Sequence, residues 1–293
     1  MAKRPAPEID IDEPLVRQLL HDQAPELADL DLSPLGRGWD NTNWRLGNDL
    51  IVRVPHREVA AVLIDHEQRV LPELALRFAV AIPVPSVAGQ PSTAAGFPWP
   101  WSVVPWIEGN EAALDTAADN AATAQMLGQF FAQLHTEAPD DAPTNPYRGH
   151  ALSAFAETFN HRLDLAADRV DAAAARKLFD AAVAAPLTTE QVWLHGDLHT
   201  RNIVTNAGAL VGVIDWGDVC SGDRATDLAG AFMLTPTNLA TVFEHAGADE
   251  ASWERARGWA THFAIMYLTF SDDAAVQRQI GERLLGNLDI ELR

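Results

Sequence analysis

The sequence is poor in cysteine and lysine: Cys220 is the only cysteine, and Lys3 and Lys177 are the only lysines. A lone cysteine excludes an internal disulfide. Nowhere does an apolar run approach the roughly 20 residues of a membrane-spanning helix. The opening MAKRPAPEIDIDEP is basic for two residues, then acidic and proline-rich, with no apolar signal core. These absences lead to the expectation of a cytoplasmic protein. Positive charge is scarce, with 21 basic against 41 acidic residues and a formal net charge of −20. Such a field argues against nucleic acid or an anionic membrane as partner. It suits a cationic small molecule, or solubility alone. What the chain does have is 47% hydrophobic residues over 293 positions, enough for one large domain or two lobes with a real core.

No internal repeat or long low-complexity segment is visible. EPLVRQLLHDQ reads as a short amphipathic helix. LSPLGRGWDNTNWRLGNDLIVRVP alternates apolar and polar residues, with Gly47-Asn48-Asp49 as a hairpin turn. It reads as three antiparallel strands, the first two joined by a turn near Gly36 to Asn43. REVAAVLIDHEQRVLPELALR is helical, with Val59, Leu63, Val70 and Leu74 as its apolar stripe. Glu67 falls within that stripe, so either it has a partner or the face is surface. Strands are expected around Ile82 to Val87 and Trp99 to Ile107. The alanine-rich stretches 112–124 and 166–185 read as helix formers, and the chain is mostly helical from about Asp115 onward. The fold class is therefore α+β: a small antiparallel-sheet lobe with one main helix (1–107), then a larger, mostly helical lobe (108–293).

The exception in the helical part is VWLHGDLHTRNIV followed by GVIDWGD, two strand-like runs interrupted by carboxylates. Asn206-Ala207-Gly208 joins them as a turn. Asp197 and Asn202, five residues apart, and Asp215 on the next strand end are expected to converge. Two carboxylates and an amide oxygen form a hard donor set suited to Mg²⁺ shared with phosphate oxygens. Asp197, less constrained by the metal, is placed to orient a hydroxyl and accept its proton. His195 and His199 at i, i+4 would be a metal pair only on a helix, and Gly196 after a strand argues against one.

HGDLHTRN resembles the protein-kinase catalytic loop H-R-D-x-x-x-x-N, and DWG resembles D-F-G with Trp for Phe. The Gly after His, the second His and the IDWGD form resemble the aminoglycoside phosphotransferase family more closely. The resemblance spans about Leu32 to Leu234 and implies a protein-kinase-like bilobal fold. Residue by residue, it implies Asp197 as catalytic base, Asn202 and Asp215 as Mg²⁺ ligands, and His195 and Asp227 as supports of the loop. Asp227 has a competing reading as a helix N-cap before LAGAF, and His199 reads best as a loop hydrogen-bonder.

The family's strand lysine is missing. Its position is Arg53, which supplies a planar fork for phosphate oxygens and for a helix carboxylate, with Glu67 as the natural partner. The turn GRGWDNTNW stands where a glycine-rich loop would cover phosphates. Gly38 would permit close approach, and Asn41, Thr42 and Asn43 would donate to phosphate oxygens, though a plain hairpin explains each as well. VVPWIEGN resembles the hinge, where backbone groups of Trp106 and Ile107 would read a purine edge. For Trp99, Trp101 and Trp106 as side chains, core packing is the better reading. Asp227 and its helix begin about ten residues after Trp216, which leaves no room for a peptide-binding activation segment. The resemblance thus implies transfer of the γ-phosphoryl of ATP or GTP, with Mg²⁺, to a hydroxyl of a small, cationic acceptor such as an aminoglycoside. Asp218, Glu157 and Asp164 are candidate acidic contacts, with Glu157 and Asp164 reading better as solvated helix charges. A macrolide or an endogenous metabolite is the alternative acceptor, and a non-catalytic nucleotide-binding module the alternative class. Either a monomer or a homodimer is compatible with the sequence.

Overall fold

A computed structural model describes residues 5–188, 190–269 and 274–292. The part of the helical expectation that falls on 189 and 270–273 lies outside the described residues. The chain forms two compact units. One runs to Glu108 and takes in Val213–Gly217; the other comprises Gly109–Gly212 and the chain from Asp218 onward. No helix among the described residues is long and apolar enough to cross a membrane.

The first unit is built on a five-stranded antiparallel sheet. Its strands are β1 (Leu32–Arg37), β2 (Asn41–Leu46), β3 (Leu50–Pro55), β4 (Val87–Gly89) and β5 (Trp101–Pro105), in the order β1-β2-β3-β5-β4. Helix α1 (Glu13–Gln23) starts where Asp12 accepts a hydrogen bond from the Leu15 N–H. Its Val16, Leu19 and Leu20 join Trp44, Leu46, Val52, Val54, Trp101 and Val103 in one apolar core. Strand side chains alternate faces, so Arg53, between Val52 and Val54, points to the opposite side. There lies α2 (Glu58–Leu74), held to β5 by Gln68 Nε2, which donates to the Trp101 carbonyl and to Ser102 Oγ.

Three expectations are corrected here. The buried stripe of α2 is Ala60, Ile64, Glu67, Val70, Leu71 and Leu74; Val59 is 61% exposed, because small Ala60 takes the sheet-facing position. Strand β4 begins only at Val87, since Pro83 and Pro85 remove the N–H groups a ladder over 82–86 would need. The turn after β1 is confined to 38–40, so Asn41, Thr42 and Asn43 are residues of β2, paired with Pro55, Val54 and Arg53.

The second unit is mainly helical: α3 (Ala121–Leu134), α4 (Ala156–Ala166), α5 (Ala172–Ala184), α6 (Ala225–Leu234), α7 (Leu239–Ala246), α8 (Glu250–Thr269) and α9 (Ala274–Asn287). The stretch 112–124 is not one helix. Short 3₁₀ turns occupy its first half, and α3 starts only where the Asn120 side chain caps it by accepting from Thr123. Similarly, 167–171 separates α4 from α5, with Asp171 capping the latter. Two small strand groups interrupt the helices: β7 (Val192–Leu194) pairs with β10 (Cys220–Gly222), while β6 (Asn110–Glu111), β8 (Ile203–Asn206) and β9 (Ala209–Val213) form a second sheet. β8 and β9 turn through Ala207 and Gly208, both at positive φ, as a two-residue hairpin loop requires. Cys220 is buried against Val192 and Leu194, and burial pushes its thiol up to about 12.

Candidate active site

Within the first unit, Arg53 is the centre. Arg53 is 8% exposed. Nη1 donates to Glu67 Oε1 at 2.9 Å and Nη2 to Asp215 Oδ1 at 2.9 Å. Glu67 is thus a partnered carboxylate on the buried face of α2. Its acidity shows what that burial costs: desolvation, with help from Asp215 and against the pull of Arg53, pushes its carboxyl up to about 7. Arg53 itself is pulled down by burial but held above its ordinary value by Glu67 and Asp215. Asp215 lies two residues past β9, in the left-handed region at φ 62°, a conformation Asp tolerates better than most. Trp216 anchors this turn: it is fully buried, stacks on Phe78 at 5.7 Å and donates from Nε1 to the Val213 carbonyl.

Around the expected phosphate loop the structure is tied to itself. Gly38 N–H donates to the Asn41 carbonyl. Asp40 accepts from Arg57, and Thr42 Oγ1 lies 3.4 Å from His56 Nδ1. The amide oxygens of Asn41 and Asn43 are buried without a hydrogen-bond partner among the described residues. Trp106 departs from its expected role in part: its N–H is spent on the Asp49 carbonyl, so it has no amide to offer a purine. Its indole donates to Glu108 and carries the Arg45 guanidinium 4.0 Å from the ring centroid, so it is not core. Trp101 is fully buried and Trp99 packs edge-on against Phe97, as core residues.

Within the second unit, the loop from His195 to Asn202 is held from beneath by Asp227. That residue is fully buried in the first turn of α6 and accepts from the N–H groups of His195 (2.8 Å) and Gly196 (3.0 Å). It is not the helix N-cap; Asp223 accepts from the Ala225 N–H instead. His135 Nε2 lies 3.4 Å from the same carboxylate, and burial keeps that imidazole below its ordinary pKa. Gly196 sits at φ 85°, and a Cβ there would come within 2.4 Å of the Asp218 carbonyl oxygen, so only glycine fits. Asn202 Nδ2 closes the loop on the Asp197 carbonyl at 3.0 Å.

Asp197 thereby projects a carboxylate with 31% of the side chain exposed. Oδ1 accepts from Arg148 Nη2 at 2.7 Å, and His199 Nε2 lies 3.4 Å from Oδ2. Burial raises its pKa, but Arg148 and then His199 outweigh it, and the carboxyl is held well below the usual range. Arg148 also approaches Asp218, Nε to Oδ2 at 3.5 Å, while Asn145 Nδ2 donates to Asp218 Oδ1 at 2.5 Å. The sequence reading missed Arg148 altogether, since nothing in NPYRGH marks it as more than a loop arginine. Glu157 and Asp164, the other candidate acidic contacts, sit on the exposed face of α4 as solvated helix charges, Asp164 facing Arg176 at 3.9 Å. Neither belongs to the Asp197 cluster.

Among the described residues no three His, Cys, Asp or Glu side chains gather as a metal site. The expected Mg²⁺ donors nonetheless have suitable chemistry. Arg53 engages only Oδ1 of the exposed Asp215, and Asn202 spends its amide nitrogen, not its oxygen, on the Asp197 carbonyl. Each is an oxygen donor of the kind Mg²⁺ takes.

A model of the phosphotransferase enzyme family matches residues 31–259. The chain belongs to that family. No curated protein sequence matches it. Among solved structures, this phosphotransferase resembles the GDP complex of wild-type aminoglycoside 2'-phosphotransferase-IIIa, with 17% identity, 95% of this chain and 98% of that chain covered, and a TM-score of 0.66. It also resembles the macrolide 2'-phosphotransferase MphH of Brachybacterium faecium, with 19% identity, coverage of 92% and 97%, and a TM-score of 0.62. A third is the streptomycin–ATP complex of APH(2")-IIa, with 15% identity, coverage of 90% and 92%, and a TM-score of 0.59. The phosphotransferase therefore has the kinase-like fold of these enzymes, as its paired HGDLHTRN and DWG motifs imply.

Proposed function

We propose that this phosphotransferase moves the γ-phosphoryl group of ATP or GTP to a hydroxyl of a small molecule in a Mg²⁺-dependent reaction. The observation that carries the reading is the construction around Asp197: a part-exposed carboxylate on a loop braced by a buried aspartate and closed by Asn202. Asp197 orients the acceptor hydroxyl, whose oxygen attacks the γ-phosphorus as the bond to the β-γ bridging oxygen breaks. A carboxylate held far below its ordinary pKa is a weak base. Orientation therefore comes first and proton acceptance late, which fits a loose phosphoryl-transfer transition state. Arg53 holds phosphate oxygens, and Gly38, Asn41, Thr42 and Asn43 border them. The Trp106 carbonyl and the Ile107 backbone read the purine. Asn202 and Asp215 hold Mg²⁺, which when bound offsets charge on the phosphates. His195 and Asp227 support the loop.

Relatives of the same fold solved with GDP, ATP and ADP support nucleotide use. For the acceptor, complexes of related enzymes with kanamycin, streptomycin and gentamicin, and the net charge of −20, favour a cationic amino sugar. The macrolide phosphotransferases and the internal neutralisation of Asp197 and Asp218 favour a less charged one. A single cysteine is compatible with action in the cytoplasm, as monomer or homodimer. A coupled assay with ATP and GTP on aminoglycosides, macrolides and simple amino alcohols tests the reading. Mg²⁺-dependent turnover on at least one acceptor supports it. Tight nucleotide binding with no turnover on any acceptor favours the non-catalytic module, for which the missing strand lysine is the best support.

A further inference from the structure

We propose that Arg148 selects the acceptor: its guanidinium fills the acidic notch between Asp197 and Asp218, so the site takes a hydroxyl from a neutral or sparsely charged part of a molecule and disfavours polycations. The proposal deepens the phosphotransfer reading and rests on Asp197 facing the acceptor hydroxyl.

Three observations carry it. The first is how the arginine is held. Nη2 lies 2.7 Å from Asp197 and Nε 3.5 Å from Asp218. An ammonium ion seeking these carboxylates has to displace an internal cation tethered to the same fold. The second is the loop itself. Asn145 accepts from the Tyr147 N–H through Oδ1 and donates to Asp218 through Nδ2. Gly149, at φ 74°, packs its backbone against β10 so closely that a Cβ would stand 2.3 Å from the Ser221 carbonyl oxygen. Arg148 is thus aimed by a loop with little room to move. The third is the wall beyond it. Arg162 of α4 and Arg148 both bear on His262 of α8, which burial first and these two cations next hold down to about 4, as a neutral imidazole. His262 stands among Phe155, Phe159, Trp259 and Phe263. Those rings are buried or half-buried, and half-buried Arg162 is a second cation on this side of the unit, while Glu157 and Asp164 face solvent. In a chain of net charge −20, long-range steering attracts cations. Local charge then decides which of them fits, because specificity is a difference in affinities and a cation already holding these carboxylates lowers their affinity for a second one.

The test compares wild type with Arg148→Gln and Arg148→Lys on kanamycin and on its fully N-acetylated, uncharged form. Both kcat/KM and calorimetric binding without nucleotide are measured. Arg148→Gln is expected to shift the ratio of kanamycin to acetylated kanamycin at least about tenfold toward the cation, mainly through KM, with a steeper loss in salt. Arg148→Lys is expected to stay near wild type. Asp218→Asn, which leaves the cation in place and removes an anion, is expected to shift the ratio the other way and covers the case that the Gln variant does not fold. A ratio unchanged within about twofold in Arg148→Gln, or in Asp218→Asn if only that variant folds, overturns the proposal. Absence of turnover on every acceptor in all variants would instead count against the role of Asp197, and the calorimetric ratio would still decide for or against Arg148.

Discussion

Arg53 and Arg148 each hold two carboxylates, in very different surroundings. Arg53 lies between a central strand and a helix, 8% exposed, with side chains of 1% and 57% exposure as partners. Arg148 lies on a loop, a quarter exposed, with partners at 31% and 25%. In the first setting Arg53 and Glu67 depend on each other, because removing Arg53 leaves Glu67 buried without its cation and removing Glu67 leaves a buried guanidinium with only the exposed Asp215. In the second, water can replace a lost partner, so the pair adds little stability. An arginine in place of the strand lysine is intelligible on the same ground: the planar fork serves Glu67 and Asp215 from separate nitrogens, which a single ammonium point charge does with poorer geometry.

Substitutions sharpen or break this contrast. The largest effect is expected from Asp197→Ala: turnover falls by about 10²-fold or more while nucleotide binding persists, and near-normal turnover would remove Asp197 from the reacting group. Next comes an asymmetry within the buried pair. Glu67→Ala leaves a guanidinium that cannot give up its charge and should cost about 3 kcal/mol in urea denaturation. Arg53→Met leaves a carboxyl already pushed up to about 7, which can take a proton; it should cost roughly half as much at pH 6. Equal losses would show that Glu67 does not neutralise. Gly149→Ala forces a Cβ into the Ser221 carbonyl at positive φ and should cost about 2 kcal/mol, together with part of the acceptor selectivity assigned to Arg148. A smaller signature is a pH slope. Because the Glu67 pKa is raised on folding, from 4.5 to about 7, the native state binds the proton more tightly than the unfolded chain. Its contribution is then present at low pH and lost as pH rises through that interval. The difference between wild type and Glu67→Gln in melting temperature should follow that sign, and a pH-independent difference would contradict it. Smallest of all, Arg148→Gln should change stability by less than about 1 kcal/mol; a loss like that of Glu67→Ala would mean the two arginines are not different in kind.

Local patterns carried much of the fold. The α1 segment, the three N-terminal strands and the Gly47–Asp49 turn are legible because alternation, periodicity and turn chemistry agree there. The failures have physical causes. At 82–86 the apolar residues suggest a strand, but two prolines cannot donate to a ladder. In α2 the stripe was set by the largest side chains, whereas the sheet takes the small one, Ala60, and leaves Val59 in water. Asp227 preceded an apolar run as a cap would, yet its oxygens serve the backbone of a loop more than thirty residues earlier.

The spacing of Asp197 to Asn202 and the DWG that follows pointed by themselves to a kinase-like fold, and Gly196, His199 and the IDWGD form to the family, since such motifs are covalent distances along one chain. So was the replacement of a lysine by Arg53. Only the tertiary structure decided which charges are spent on one another: that Arg53 divides itself between Glu67 and Asp215, and that Arg148 closes on Asp197 from a loop forty-nine residues away. Ion pairing depends on distance in space and on access to water, and neither is encoded in the order of residues near each charge.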